Sequence, residues 1–133
     1  ILKGFHYKQL NVKEDYGDIL LKNITGEKTE ITQAFGDLTL DQFNGNGFIV
    51  ESEHGDININ GTLNGQSKIT SSFGDTSLHL DNNKSDIGFE LKTSFGDITV
   101  NDSSQNSKVS QLHAGENQLS ISLSHGDIEL SLK

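Results

Sequence analysis

The chain contains no cysteine, which excludes a disulfide, a thiolate zinc centre and a cysteine nucleophile. A cysteine-free domain works on either side of a membrane, so the compartment stays open on this ground. Arginine is absent as well, and all ten basic residues are lysines. Arginine is the usual bidentate clamp for phosphate and carboxylate, so phosphoryl-transfer and uronate-cleaving sites are disfavoured. There is no methionine, and the chain starts at Ile1. We therefore expect a fragment of a longer protein, with any signal or anchor outside it. No apolar run approaches the length of a membrane-spanning helix.

Hydrophobic residues make up 32% of the 133 positions, below the usual globular share. A polar chain still folds when each strand buries only alternate residues. The length suits one domain, taken as 1–133 with an irregular last part over 101–133. Net charge is −9, which disfavours nucleic acid, because binding there requires clustered positive charge.

What is present is a repeat. Gly-Asp pairs stand at Gly17-Asp18, Gly36-Asp37, Gly55-Asp56, Gly74-Asp75, Gly96-Asp97 and Gly126-Asp127. The first four are nineteen residues apart, and the next gaps are twenty-two and thirty. Each pair follows a ring: Tyr16, Phe35, His54, Phe73, Phe95 or His125. Three and five residues after that ring come mostly Ile, Leu or Val, as in Ile19 and Leu21 or Ile57 and Ile59. Four before it stand Val12, Ile31, Val50, Ile69, Leu91 and Ile121.

Alternation of period two reads as strands. The apolar phase shifts by one residue across Gly-Asp, as at a glycine bulge or corner. Gly supplies the unusual backbone angle and Asp bonds to the turned backbone. Each unit is expected to hold two short strands, with polar turns at "NITGEK", "QFNGNG", "GTLNGQ" and "LDNNKSD", and to bury the ring. Repetition at this period predicts an all-β fold, a β-solenoid of six to seven coils resembling a single-stranded β-helix. The alternative is an antiparallel β-sandwich with bulges. The segment Asn101–Gln118 is expected to hide a decayed unit around Val109, His113 and Gly115-Glu116. The final coil is expected to cap the stack.

The column Asp18, Asp37, Asp56, Asp75, Asp97 and Asp127 is the candidate binding site. Calcium would relieve repulsion between stacked carboxylates, yet the glycine-rich nonapeptide of calcium-binding solenoids is missing. No metal or cofactor is therefore expected, and turn capping is the simpler role. Gly17, Gly36, Gly55, Gly74, Gly96 and Gly126 are assigned to the structural repeat. His54 and His125 read as partly buried substitutes for Phe, and His6, His79 and His113 have no ligand spacing. No nucleophile elbow or distinctive acid pair is present, so no enzyme is expected. The outward ladder of Thr39, Asn58, Ser77, Thr99 and Glu129 is either a docking face or a solvated one.

The repeated motif, in "YGDILL", "FGDLTL", "HGDINI", "FGDITV" and "HGDIEL", resembles the bacterial β-strand-repeat domains that carry an adhesin label. That family includes the LiaG-like proteins of cell-envelope stress operons. The resemblance covers about Leu10 to Lys133, with "FGDTSL" a weaker copy. It implies a non-enzymatic, extracytoplasmic or membrane-associated module whose partner is a wall polymer, a membrane component or a protein. The alternative is a structural or regulatory spacer; a carbohydrate-active enzyme is the remote one.

Overall fold

The structure is a computed structural model that describes residues 2–3, 6–82, 87–101, 103–105, 108–111 and 117–132. It is all-β. The strands are β1 (Leu2–Lys3), β2 (His6–Tyr16), β3 (Ile19–Phe35), β4 (Leu38–His54), β5 (Ile57–Phe73) and β6 (Thr76–Leu80). They continue as β7 (Gly88–Phe95), β8 (Ile98–Val100), β9 (Ser103–Gln105), β10 (Lys108–Gln111), β11 (Gln118–His125) and β12 (Ile128–Ser131). Together they make one sheet of 12 strands.

Pairing between the long strands is parallel and in register: Ile19 lies beside Leu38 and Leu38 beside Ile57, just as Phe35 lies beside His54 and His54 beside Phe73. Long parallel pairing is what a β-solenoid requires and an antiparallel sandwich lacks. Among the described residues only β10 on β7 and β9 on β8 pair antiparallel.

The expected pair of short strands per unit needs correction. β3, β4 and β5 are each 17 residues long and run through "NITGEK", "QFNGNG" and "GTLNGQ" as continuous strands, although the register of β4 on β5 slips by one residue between Leu40 and Phe43 and returns between Asn46 and Phe48. The burial pattern shows how. In β3 the inward residues are Ile19 and Leu21, then Ile24 and Gly26, then Thr29, Ile31 and Gln33. The phase slips at two exposed pairs, Lys22-Asn23 and Glu27-Lys28. Each strand therefore turns twice and offers three inward segments, and the β3–β4 register skips Asn23 and Glu27-Lys28 at the turns. At the first slip Asn23 and Gln42 take φ of 56° and 54°, the left-handed conformation that absorbs an odd residue. In the fourth such segment the strand does break, after Leu80; residues 83–86 of "LDNNKSD" lie outside the described ones.

Burial drives the stacking. Ile24, Ile31, Leu38, Leu40, Val50, Ile69 and Leu78 are fully buried, and each such side chain contributes about 1.5–3 kcal/mol. Phe43 and Phe48 fill the second corner, with centroids 5.2 Å apart. Thr76, the odd member of an aliphatic column, is buried as well.

The order of stacking is a second correction. β11 lies between β5 and β7, and β12 lies between β6 and β8. The last Gly-Asp segment is thus an interior rung and caps nothing. The chain leaves β6 and returns as β7 one level higher, which the three extra residues before Gly96 allow. The expected decayed unit is likewise absent from the described part: β9 and β10 close this end antiparallel, with Val109 beside Leu91. His113 and Gly115-Glu116 lie outside the described residues. At the opposite end β2 is the outermost described strand of its half, and Leu10 and Val12 are only half-buried.

Candidate functional site

Each Gly-Asp pair makes a corner, and the backbone explains both residues. The six glycines have φ between 128° and 153°, accessible at little cost only to glycine. A side chain at Gly36, Gly55, Gly74, Gly126 or Gly96 would also collide with the glycine carbonyl of the rung before. Among the described residues no rung precedes Gly17, and the nearest neighbour of a side chain there would be Glu14 Oε1 at 3.7 Å.

Three N–H groups around the corner show the consequence. The glycine N–H donates forward to the ring residue's carbonyl on the next rung, as in Gly36 to His54 at 3.1 Å. The N–H two residues after glycine also donates forward, as in Leu38 to Asp56 O at 2.9 Å. The intervening Asp N–H points backward. It donates to the carboxylate of the preceding rung's Asp: Asp37 to Asp18 Oδ1 at 2.8 Å, Asp56 to Asp37 at 2.9 Å, Asp75 to Asp56 at 3.0 Å. The series continues from Asp127 to Asp75 at 2.9 Å and from Asp97 to Asp127 at 2.8 Å. The six candidate residues therefore form a single ladder, in the order 18, 37, 56, 75, 127, 97. One oxygen of each carboxylate down to Asp127 accepts a charge-assisted bond, and all six residues are exposed.

The reversed peptide also turns the glycine carbonyl forward, where no backbone donor meets it. Gln33 Nε2 donates to Gly17 O at 2.8 Å, and Thr93 Oγ1 donates to Gly126 O at 2.9 Å. These residues stand two before the ring, in an inward column with Ser52, Ser71 and Leu123. Ser52 Oγ, Ser71 Oγ and Gln33 Oε1 are buried without a partner. Sequence reasoning missed this column. Its signal was polarity at an inward position, in Glu14, Gln33, Ser52, Ser71 and Thr93.

The rings are not inside. Tyr16, Phe35, Phe73 and Phe95 are 75, 41, 44 and 67% exposed, and His54 and His125 are exposed too, contrary to the expectation that the ring column is buried. The ring is the last residue before the corner and projects at its apex. The six rings cover one another instead, stacked in the order 16, 35, 54, 73, 125, 95. Centroid spacings are 4.8–5.2 Å and interplanar angles 4–16°. Stacked aromatic pairs contribute about 0.5–1.5 kcal/mol each beyond area burial.

Beside this ring ladder runs a shallow groove of about 310 Å³ lined by Lys13, Asp15, Thr32, Ala34, Glu51 and Glu53 among others. The outward ladder beyond the corner is graded, with Asn58 and Glu129 exposed and Thr39, Ser77 and Thr99 half-buried. His79 lines another groove with Asp41 and Asp81, far along the strand from the corner. Among the described residues no three His, Asp or Glu converge as a metal centre.

A family model, Toastrack DUF4097, matches residues 2–131. The chain belongs to the Toastrack family. Toastrack DUF4097 is a domain family of unknown function with no known catalytic activity. No curated protein and no solved structure matches this chain. The Gly-Asp corners, which recur from Gly17 to Asp127, lie wholly inside this Toastrack match.

Proposed function

We propose that this Toastrack domain is a non-enzymatic adhesin-like module that presents its corner as a repetitive binding face. We read its fold as a β-solenoid with a nineteen-residue unit, in which six rungs set the same groups in straight columns. The observation that carries the reading is the ladder of six exposed rings beside six exposed carboxylates. Their backbone is already fixed by ladder bonds, so binding orders little that is free. The family resemblance supports an extracytoplasmic or membrane-associated setting, with a wall polymer, membrane component or protein as partner.

Co-sedimentation of the purified domain with isolated cell walls and with membrane vesicles, with and without calcium, tests this. The control carries Asp37→Asn, Asp56→Asn and Asp75→Asn, which remove charge but keep an oxygen acceptor for the next N–H. Saturable binding that the control loses places the face at the corner. Binding that a folded control retains moves it to another ladder. Binding to neither fraction favours a spacer that restrains its neighbours.

A further inference from the structure

The charge of this protein is concentrated on one edge. The six segments 13–18, 32–37, 51–56, 70–75, 92–97 and 122–127 make up the corner and the strand leading into it. Together they carry ten Asp or Glu and two Lys, while the rest of the chain carries nine and eight. Nearly all of the net −9 therefore sits where the rings are exposed. The two lysines, Lys13 and Lys92, lie on the first and last of these six rungs, Lys92 beside Lys108 of β10, so the four rungs between them have no lysine in these segments.

The rings restrict what can lie on them. Both faces of the four inner rings are taken by neighbours at 4.8–5.2 Å, so a sugar ring has no face to stack on along the ladder. What the ladder offers is a row of ring edges, apolar and slightly positive at Phe35, Phe73 and Phe95 and polar at Tyr16, His54 and His125. Such a row suits aliphatic stems and backbone carbonyl oxygens. Nucleic acid and anionic lipid are repelled by the flanking acids.

We propose that the ring ladder and its acidic flanks dock an extended basic polypeptide, running along the stack with Lys or Arg heads on the carboxylates. The inference rests on the binding-module reading and names its partner class. Five ring spacings span roughly 25 Å, about eight extended residues. Side chains of an extended strand alternate from side to side. One set meets the Asp ladder, and the other meets Asp15, Glu51 and Glu53 across the groove. Long basic side chains lay their methylenes on apolar surface while the charge stays wet. Asp oxygens fixed by the neighbouring N–H hold the carboxylates in place.

The test is fluorescence anisotropy with a labelled octapeptide of lysine, whose alternate side chains reach both acidic flanks, and with its octaglutamate counterpart. The expected result is saturable binding of the basic peptide alone, weakened as salt rises. The variant Asp37→Asn/Asp56→Asn/Asp75→Asn should bind roughly tenfold more weakly, since exposed charge pairs add in small increments. Phe35→Ser/Phe73→Ser should also weaken it. A variant with three charges removed elsewhere, Glu27→Gln/Glu30→Gln/Asp41→Asn, should bind as the parent does. Circular dichroism and a thermal melt confirm that each variant is folded. Equal loss in both charge variants overturns the proposal, because only total charge then matters. No binding of the basic peptide by a domain that does sediment with walls or vesicles overturns it too, while leaving the binding-module reading intact. If both assays are negative, both readings fail.

Discussion

From Ile19 to Phe73 the order of the chain and the order of the stack are the same. From Thr76 onward they part, because β11 and β12 enter between rungs made earlier. The local chemistry does not register this difference. Gly74 donates to the carbonyl of His125, fifty-one residues away, as Gly55 donates to that of Phe73 eighteen away, at 3.1 and 3.0 Å. Asp127 meets Asp75 as Asp56 meets Asp37, each at 2.9 Å. A rung reads its neighbour's corner and nothing about that neighbour's place in the chain. Sequence order is set by the connections instead, here by the longer gaps before Gly96 and Gly126.

The largest effect should come from removing the interior rung. Deleting residues 117–133 leaves β5, β6, β7 and β8 each with an unpaired edge. Urea denaturation followed by circular dichroism should then show no cooperative transition. A sharp transition near the parent's midpoint would mean that the two parts fold without the rung between them.

Glycine substitutions sharpen the comparison at single positions. Gly126→Ala adds strain of about 1–3 kcal/mol at its positive φ and also a clash with the Gly74 carbonyl. Gly17→Ala has the strain alone, so its urea midpoint should fall by less. Equal losses would show that the close approach between rungs costs nothing.

Side chains at the two kinds of position should rank likewise. Ile121→Ala empties an interior site that is 1% exposed, at about 2–5 kcal/mol. Val12→Ala, at the half-buried outer rung, should cost about 1 kcal/mol. A reversed ranking in urea melts would put the stable part of the fold at its end.

The smallest effect is expected from Asp56. Asp56→Ala removes the acceptor of the Asp75 N–H, but the bond is exposed and water can replace it, so the cost should be about 0.5–1 kcal/mol. Asp56→Asn keeps an acceptor and should lie within about 0.5 kcal/mol of the parent. If the two variants melt alike, the side-chain bond adds nothing to stability.

Much of this was legible in the sequence because a parallel stack puts equal offsets side by side. Val12, Ile31, Val50, Ile69, Leu91 and Ile121 are recognisable as one column from spacing alone, and five of the six are buried. The corner at Gly-Asp followed from the phase shift across it. The rings mislead because an aromatic side chain at a regular offset implies burial by hydrophobicity alone. Phe35 and Phe73 satisfy much of their surface by stacking on other rings, which no within-unit periodicity reports. The midpoint turns misled for a related reason. Asn23 and Gln42 look like turn residues and do turn the backbone, yet the strands continue past them, with a one-residue register slip of β4 on β5 beside Gln42. The position of β11 was not legible at all, since every column it joins would accept it at any level.

That insertion has a consequence in time. A growing or translocating chain delivers residues 118–132 after the other described strands. Rungs cannot simply be laid down one upon another as they arrive, because a gap has to be kept until the last piece comes. Until then the domain holds two half-built pieces with raw edges facing each other. A chain cut short near its end would therefore lose the join between those pieces, and proteolysis could distinguish unfinished copies from finished ones.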